Sequence, residues 1–557
     1  MSEGVRRTTP SSGVADSRSF VLGIAGLVAL VRTWPMALHP YWLLGHPSGE
    51  APNHFRMLWR AGRQLLGDSR ALENLPTGLP IPLMDPVNLP AWLLGAAVHP
   101  ALGYNLVLFS CLLLAFWGAW ALSRELGAGG EGALLAGVAA ASAPALAGAI
   151  SFGITEALPV GWLGLHVAAL LRGARGGSLL AWLLAGLCLA AFALSGWYNA
   201  VFGLVVELIL VARVLSLGGR RAGVGLLAQG GLALTLVTPF FLRFYATRGF
   251  WAGRWQLPEG PPAGAELAWR HTPFWGTDLL NLLLPTLESV PVSKGVYVGL
   301  VTLSLAALAP RAARPLWAAC AALWVLALGH WLRIGGWDSG LSLPARWLSE
   351  LAPPLVGLSH WHRAAIPASV LLAALAGLGA DRLSRPMKLI FGLALLLDHL
   401  ALSGVELPLR QVDPAPPKVY AVMTDDSGLV QLPFDNGARE FSEDRARLYD
   451  LWQPMHGHPI AESYEGPDAL LRLSPLVARA EVLASASDRA SAPLGGAPLV
   501  DEALPGALAQ LKTWEIGWIV LHRDRSPTPE PASEFLRHAL GPPVAEAGQV
   551  EIYAVTR

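Results

Sequence analysis

The chain alternates long apolar stretches with short polar segments over residues 1–404. A membrane-spanning helix needs about 20 mostly apolar residues, because the hydrocarbon core is roughly 30 Å thick and offers the backbone no hydrogen-bond partners. The pattern predicts about eleven transmembrane helices, near residues 20–38, 102–122, 131–150, 158–172, 178–195, 198–215, 222–243, 295–310, 315–333, 364–383 and 387–404. No small-residue cleavage site follows the first apolar stretch, so we interpret it as a retained helix rather than a signal peptide.

The pattern changes after Gly404, where Pro408, Pro414, Pro416 and Pro417 form a linker. Short alternating runs then predict β-strands, and polar stretches between them predict helices. The strands are expected at 429–432, 518–521 and 550–553, and the helices at 468–473 and 504–513. We therefore predict an all-α polytopic membrane bundle over residues 1–404, followed by a small soluble α/β domain over residues 405–557.

Composition agrees with lipid as the solvent of the first part. Apolar residues make up 53% of the 557 residues and charged residues only 14%, whereas soluble domains carry about 25% charge. The 40 basic and 40 acidic residues cancel, so no global field attracts nucleic acid. All three cysteines lie in apolar runs, which excludes a disulfide or zinc framework. No nucleotide-binding or CxxC motif is present, which argues against ATP-driven pumping or redox chemistry by this chain alone.

Basic residues set the expected orientation, because short cytoplasmic loops are enriched in Lys and Arg. With the N-terminus in the cytoplasm, every short inner loop contains such residues: Arg124, Arg172, Arg175, Arg213, Arg220, Arg221, Arg311, Arg314, Arg382, Arg385 and Lys388. Long outer loops are then expected at 39–100, 244–294 and 334–363, and the C-terminal domain lies on the periplasmic side. We expect a multi-pass protein of a bacterial inner membrane.

Two acidic residues stand just outside predicted helices. Glu50 lies in the first outer loop together with His46 and His54, ahead of an amphipathic stretch to about Leu66 whose apolar side is expected to lie on the membrane surface. A carboxylate there can act as a general base or bind a divalent cation, Mg²⁺ or Mn²⁺. Glu156 lies in a very short outer turn and is expected beside Glu50. The alternatives, a capping acid for Glu50 and a helix-dipole partner for Glu156, stay open.

A third candidate group precedes the predicted tenth helix. His360, His362 and Arg363 can hold a phosphate or pyrophosphate, since arginine offers a bidentate donor fork. Their spacing does not match that of a zinc-binding helix. The alternative is interfacial anchoring by Trp361 and Arg363, which also stays open.

Ionisable residues inside the bilayer are costly unless they face a partner or a wet cavity. Glu207, Asp398 and His399 are such residues. One interpretation is a proton or ion path, and the other is mutual pairing inside the bundle.

In the soluble domain, Tyr449, Trp452, Tyr464 and Trp514 are either a carbohydrate- or protein-binding surface or ordinary core aromatics.

Several stretches resemble the GT-C class of polytopic glycosyltransferases, the lipid-sugar-dependent enzymes that include protein O-mannosyltransferases and aminoarabinose transferases. Together they cover most of the chain: Gly49–Trp59, Leu75–Gly78, Asp85–Pro90, Gly103–Asn105, Ser195–Asn199, Asp278–Pro285, His362–Ala364 leading into Ala373–Gly379, and Gly517–Arg523. A lone Glu after Gly stands where active members commonly carry an Asp-rich pair, and no Asp-x-Asp follows it.

The resemblance implies a polyprenyl-phosphate-linked sugar donor, an outer-leaflet active site, and an essential acid in the first outer loop aided by one in the second. By position these acids are Glu50 and Glu156. His54, His360, His362 and Arg363 are then the candidate substrate-binding residues, with Arg363 on the donor phosphate. The expected function is sugar transfer from the lipid-linked donor to an envelope glycan, lipid or protein. The rival expectation is a non-catalytic envelope-assembly factor or a lipid or polymer transporter.

Overall fold

The fold is taken from a computed structural model of the chain. It describes residues 17–47, 49–68, 75, 85–176, 178–246, 276–285, 296–351, 360–434, 448–461, 470, 473–485 and 501–555. Most of the predicted outer loop 244–294, part of the resemblance at 76–78, and most of the predicted helix 468–473 lie outside the described residues.

Helices dominate the described residues. They are α1 (Arg18–Arg32), α2 (Ala51–Leu65), α3 (Leu89–Ala96), α4 (Pro100–Glu125), α5 (Gly130–Ala141), α6 (Pro144–Phe152), α7 (Gly161–Ala174), α8 (Leu179–Ser195), α9 (Trp197–Ala246), α10 (Leu279–Leu283), α11 (Leu300–Ala307), α12 (Arg314–Ala327), α13 (Pro344–Leu351), α14 (Ala365–Ala380), α15 (Arg385–Ala401), α16 (Leu448–His456), α17 (Pro475–Ser485), α18 (Leu504–Thr513) and α19 (Pro529–Leu540).

The strands are few and short. They are β1 (Leu43–Leu44), β2 (Trp331–Ile334), β3 (Trp337–Ser342), β4 (Gln411–Val412), β5 (Gly428–Leu432), β6 (Ile516–His522), β7 (Ala545–Ala547) and β8 (Val550–Ala554). The pairs β1–β4 and β2–β3 form two-stranded sheets, and the remaining four strands form one sheet in the order β5-β6-β8-β7.

Each of the apolar windows predicted from the sequence contains a helix, and the predicted fold class is confirmed. Four windows differ in detail. The window 131–150 is two helices, because Pro144 begins α6 and disfavours helical backbone in the residue before it. The windows 198–215 and 222–243 form the single element α9, which turns at Gly219 with φ +54°. In the window 315–333, helix α12 ends at Ala327, and strand β2 begins at Trp331.

The molecule is a multi-pass membrane protein. Five helical segments of the described chain are long and apolar enough to cross a membrane: Pro100–Glu125, Gly130–Phe152, Thr155–Ala174, Trp197–Ala246 and Trp361–Ala380. The last is fully buried within the protein, whereas only a third of the window in α9 is buried. We infer that α14 is the central helix of the bundle and that α9 faces lipid over much of its length.

The bundle has two chemically different ends. At one end, Glu125 binds Arg172 and Arg175 at 3.0 and 2.9 Å, and Glu131 binds Arg385 and Lys388 at 3.2 and 3.0 Å. Arg213 shares a cleft there with Arg175 and Ala312, so residues of five predicted inner loops meet on one side. The predicted site residues lie at the other end. Which end faces the cytoplasm stays a prediction.

The four-stranded sheet lies in the C-terminal region. Strands β5 and β6 run parallel, with Val430 opposite Ile519, and β6 pairs antiparallel with β8. The three predicted strands and the predicted helix at 504–513 are found, whereas the short β7 was not predicted. Because β1 pairs with β4, the loop after α1 is joined directly to the linker after α15. The domain boundary between residues 404 and 405 stays a prediction.

The amphipathic helix of the first outer loop does not lie with its apolar side on the membrane. Residues 51–62 of α2 are all buried by the protein itself, and α2 packs against α3, α4 and α16. The helix is therefore enclosed between the bundle and the C-terminal region.

Candidate functional site

The site is built on the turn between α6 and α7. Gly153 ends α6 with φ +84°, and a Cβ atom at this position would collide with Ala51 of α2. Glycine therefore permits the first turn of α2 to approach the backbone of this turn closely. Backbone hydrogen bonds fix the approach: the Glu50 N–H donates to Phe152 O at 2.8 Å, and the His46 N–H donates to Ser151 O at 2.8 Å.

Glu156 is the centre of the arrangement. It lies in a single 3-10 turn, Thr155–Ala157, directly after α6. One carboxylate oxygen, Oε1, accepts a hydrogen bond from Nη1 of Arg363, and the other, Oε2, lies 3.4 Å from Nε2 of His54. Its side chain is 22% exposed, while those of Arg363 and His54 are 8% and 5% exposed. A charged pair so well shielded from water interacts far more strongly than a surface pair.

His54 is held by a second contact. Its Nδ1 lies 2.9 Å from Oγ1 of Thr155, which is 1% exposed. The Thr155 hydroxyl can donate to or accept from Nδ1, and the contact turns Nε2 toward Glu156. The threonine therefore fixes which ring nitrogen faces the carboxylate.

Arg363 precedes the central helix α14 in the 3-10 turn Trp361–Ala364. Its guanidinium carbon lies 5.1 Å from the centre of the Tyr198 ring, a cation–π geometry. The Tyr198 hydroxyl lies 3.2 Å from Nδ1 of His360 and accepts from the His360 backbone N–H at 3.0 Å. The buried Nε of Arg363 has no hydrogen-bond partner among the described residues, so one donor remains for a ligand.

The predicted site residues therefore converge from three distant parts of the sequence. We call Glu50, His54, Glu156 and Arg363 the site cluster. Glu50 lies close enough to Arg363 to interact with it electrostatically, and it accepts from Nδ2 of Asn53 at 3.5 Å. These residues can present carboxylates, an imidazole and a cation to one substrate.

The two other predicted residues lie beside the site cluster. The rings of His360 and His362 are 5.6 Å apart, and His362 is buried at 3% exposure. His360 is linked to Arg363 through Tyr198 and by a backbone hydrogen bond, in which the Arg363 N–H donates to the His360 carbonyl at 3.0 Å. The predicted divalent-cation site finds no geometric support in the described part of the chain, where no group of three or more His, Cys, Asp and Glu side chains is placed to hold a metal ion.

Asp85 and Asn88 are site residues that sequence reasoning missed. Nδ2 of Asn88 donates to Oδ2 of Asp85 at 2.7 Å and to the Thr155 carbonyl at 3.3 Å. Burial, with the negative charge of Glu156 nearby, raises the pKa of Asp85 to about 7. Asp85 is thus a third carboxyl group, one that exchanges its proton near neutral pH. The sequence signal that could have identified these two residues is an Asp followed three residues later by an Asn, directly before a helix.

Asn199 is another missed residue. Its side-chain amide donates to the Glu156 carbonyl at 3.0 Å and to Oγ of Ser195 at 2.9 Å. The Ser195–Asn199 stretch carried part of the family resemblance, but nothing in its pattern indicated a contact with Glu156. The contact ties the start of α9 to the turn that carries this carboxylate.

The ionisable residues inside the bundle form two separate clusters. Glu207 lies 2.7 Å from Nε2 of His166 and accepts from Gln229. Asp398 accepts from the Tyr297 hydroxyl, and the adjacent histidine, His399, contacts the hydroxyls of Ser142 and Thr302 at 2.9 and 2.8 Å. The three residues are paired inside the bundle, although not with one another, and they do not line one path.

The aromatic residues of the C-terminal region are mainly core. Tyr449 and Trp452 are 2% and 9% exposed and pack on the ring of His522. Trp514 is partly buried and packs against the hydrophobic core that includes Val430 of β5 and Leu521 of β6. Tyr464 lies outside the described residues.

Comparisons with known proteins place the fold. No family model matches the sequence, and a search of curated proteins also finds no match. A solved structure of the mycobacterial arabinofuranosyltransferase AftD is similar over 97% of this chain, with a TM-score of 0.52 and 15% identity. The chain has a GT-C-type fold. It spans only 42% of the length of AftD, so the likeness concerns the fold alone.

Two other solved structures are similar at lower scores. ArnT from Cupriavidus metallidurans, bound to undecaprenyl phosphate, has a TM-score of 0.46 and 14% identity, over 98% of this chain and 99% of ArnT. The oligosaccharyltransferase from Archaeoglobus fulgidus, tethered with an acceptor peptide, has a TM-score of 0.46 and 10% identity, over 94% of this chain and 70% of the other.

Proposed function

We propose that the protein is a membrane glycosyltransferase that moves a sugar from a polyprenyl-phosphate donor to an envelope acceptor at the outer face of a bacterial inner membrane. The observation that carries the proposal is the convergence of Glu50, His54, Glu156 and Arg363 at one end of a bundle with a GT-C-type fold. Paired acids beside a buried arginine suit the transfer of a sugar away from a phosphate.

The location of the site cluster supports a lipid donor. It lies at the ends of α6, α7 and α14, where apolar helices leave the hydrocarbon and a lipid headgroup is expected. A polyprenyl phosphate carries its sugar at this depth, because its prenyl chain is held in the hydrocarbon. The donor phosphate is negatively charged, and the remaining Nε donor of Arg363 suits it.

In the proposed reaction the acceptor hydroxyl oxygen forms a bond to the anomeric carbon of the sugar. The bond from that carbon to the phosphate oxygen breaks, and its electron pair leaves on the lipid phosphate. The hydroxyl proton passes to a carboxylate, which we assign to Glu50. Glu156 lies between Arg363 and His54, where it holds the guanidinium and the imidazole in place.

The rival function, a transporter or a non-catalytic assembly factor, has less support. A transport path needs ionisable residues along one wet route through the bundle. Glu207 and the Asp398–His399 pair instead lie in separate buried clusters, each satisfied by neighbouring side chains. Those contacts suit helix packing within the bundle.

The test is incubation of the purified protein with a panel of radiolabelled polyprenyl-phosphate sugars and membrane acceptors. We expect transfer by the wild type and a loss on the order of 100-fold or more for Glu50→Gln. The matched control is Glu406→Gln, an exposed acid in the linker after α15, which should leave transfer unchanged. Full activity of Glu50→Gln refutes the assignment of the base, and no turnover with any sugar refutes the proposed function.

A further inference from the structure

Helix α2 both carries the site and contacts the C-terminal region. Glu50 stands at its start, and His54 lies in its first turn. The same helix packs against α16, which belongs to the predicted C-terminal domain. Residues 51–62 are all buried. A shift of α16 against α2 therefore changes the positions of the two site residues, Glu50 and His54.

An ion pair joins α2 to α16. Nη1 of Arg56 lies 3.2 Å from Oδ1 of Asp450 on α16, and the two side chains are 0% and 11% exposed. Nη2 of Arg56 donates to Oδ1 of Asn53 at 2.9 Å. Nδ2 of Asn53 in turn donates to Oε2 of Glu50 at 3.5 Å. An ion pair, a hydrogen bond and a 3.5 Å polar contact therefore connect Asp450 to the carboxylate that we assign as the base.

The far end of this connection is fixed to the sheet. The Tyr449 hydroxyl, next to Asp450, donates to the carbonyl of Pro433 just after β5 at 3.0 Å. The Tyr449 ring lies 4.9 Å from that of His522 at the end of β6, and Trp452 stacks on the same histidine at 5.5 Å. The carboxylate of Asp450 is thus placed by packing against the four-stranded sheet.

Buried ion pairs add little net stability, because desolvation offsets their attraction, but they restrict geometry strongly. We propose that Arg56 and Asp450 are positioning residues through which the C-terminal α/β region sets the placement of Glu50 and His54 against Glu156. The inference rests on the proposed function for its effect on turnover, but the mechanical link between α16 and α2 is independent of the substrate.

The first test measures that link by hydrogen–deuterium exchange on the full-length protein in detergent. In Asp450→Asn, which keeps the side-chain volume, we expect exchange of the amides in α2 to rise at least about tenfold, while α4 is unchanged. The matched control is Glu546→Gln, which removes an exposed ion pair with Arg537 in the same region and should leave α2 unchanged. Unaltered exchange in α2 of Asp450→Asn overturns the inference.

The second test uses turnover of the radiolabelled polyprenyl-phosphate sugar that the wild type accepts. We expect kcat of Asp450→Asn to fall about tenfold or more, KM for the donor to change less, and Asp450→Glu to restore part of the rate. Arg56→Lys, which keeps the charge, should lose less than Asp450→Asn. Wild-type kcat in Asp450→Asn contradicts positioning and leaves the proposed function intact. Absence of turnover in the wild type refutes the proposed function, and the exchange result then still decides the link.

Discussion

The carboxyl group of Asp85 is predicted to make the stability of the protein depend on pH. Burial and the charge of Glu156 raise its pKa from 3.8 to about 7. The folded protein therefore holds a proton that the unfolded chain has already released above pH 4. Where the folded state binds more protons than the unfolded state, stability falls as pH rises. The loss from this group develops between about pH 4 and pH 7 and is complete above that range.

The size of the effect follows from the pKa difference. Each unit of pKa corresponds to about 1.4 kcal/mol, so the ionised carboxylate costs on the order of 4 kcal/mol at most. Asp85→Asn removes this cost, because its side chain has the same size and carries no charge. Its amide oxygen can still accept the hydrogen bond that Asn88 donates to Asp85 at 2.7 Å.

The assay is thermal unfolding of the purified protein in detergent at pH 5 and at pH 8, for wild type, Asp85→Asn and the exposed control Glu534→Gln. The wild type and the control should lose more stability between the two pH values than Asp85→Asn does. The variant should therefore unfold at a higher temperature than the wild type, and the difference should be larger at pH 8 than at pH 5. The same pH dependence in all three proteins would refute the assigned environment of Asp85.

Two further predictions concern an ion pair of the site and the packing of the bundle. Arg363→Gln removes the cation that pairs with Glu156, so we expect a loss of about 3 kcal/mol in stability together with loss of transfer. Arg363→Lys should retain part of the stability and part of the transfer. Equal melting temperatures for wild type and Arg363→Gln would contradict the pairing. Gly379→Ala places a methyl group against the Leu305 carbonyl oxygen, so we expect it to lower the stability in thermal unfolding by about 1–3 kcal/mol. Gly230 faces open space, so Gly230→Ala should leave the stability unchanged. Equal effects of the two substitutions would refute this packing of α14 on α11.

The membrane part was predictable because lipid leaves the chain few choices. An apolar run of about 20 residues must be helical to satisfy its backbone groups, so each window gave a helix. The break between α5 and α6 was missed because Ala143 and Ala145 flank Pro144 and the run is apolar on both sides of it. The proline itself was the signal.

The parts of the site that could be predicted are those with a local signal. Glu50 and Glu156 are acids at helix starts, and Arg363 precedes an apolar helix. The ion pair between Glu156 and Arg363 joins residues 207 positions apart, and it depends on how α7 and α14 cross. The raised pKa of Asp85 likewise depends on burial by a turn some 70 residues later in the chain, which no local pattern reveals.

The C-terminal region shows the same division. The runs in β5, β6 and β8 alternate or are continuously apolar, so they were predicted as strands. Strand β7 has the sequence Ala-Glu-Ala, which carries no strand preference. The contact of α16 with α2 joins residues nearly 400 positions apart, and a salt bridge at that separation cannot be predicted from either segment alone.

The most direct test of the site compares two acids that each bind arginine at opposite ends of the bundle. Glu156 lies in the site cluster, and Glu125 pairs with Arg172 and Arg175 at the other end. Transfer from a radiolabelled polyprenyl-phosphate sugar should fall by a factor on the order of 100 or more in Glu156→Gln and stay at the wild-type rate in Glu125→Gln. Equal rates in the two variants would contradict the placement of the active site at the end of α6.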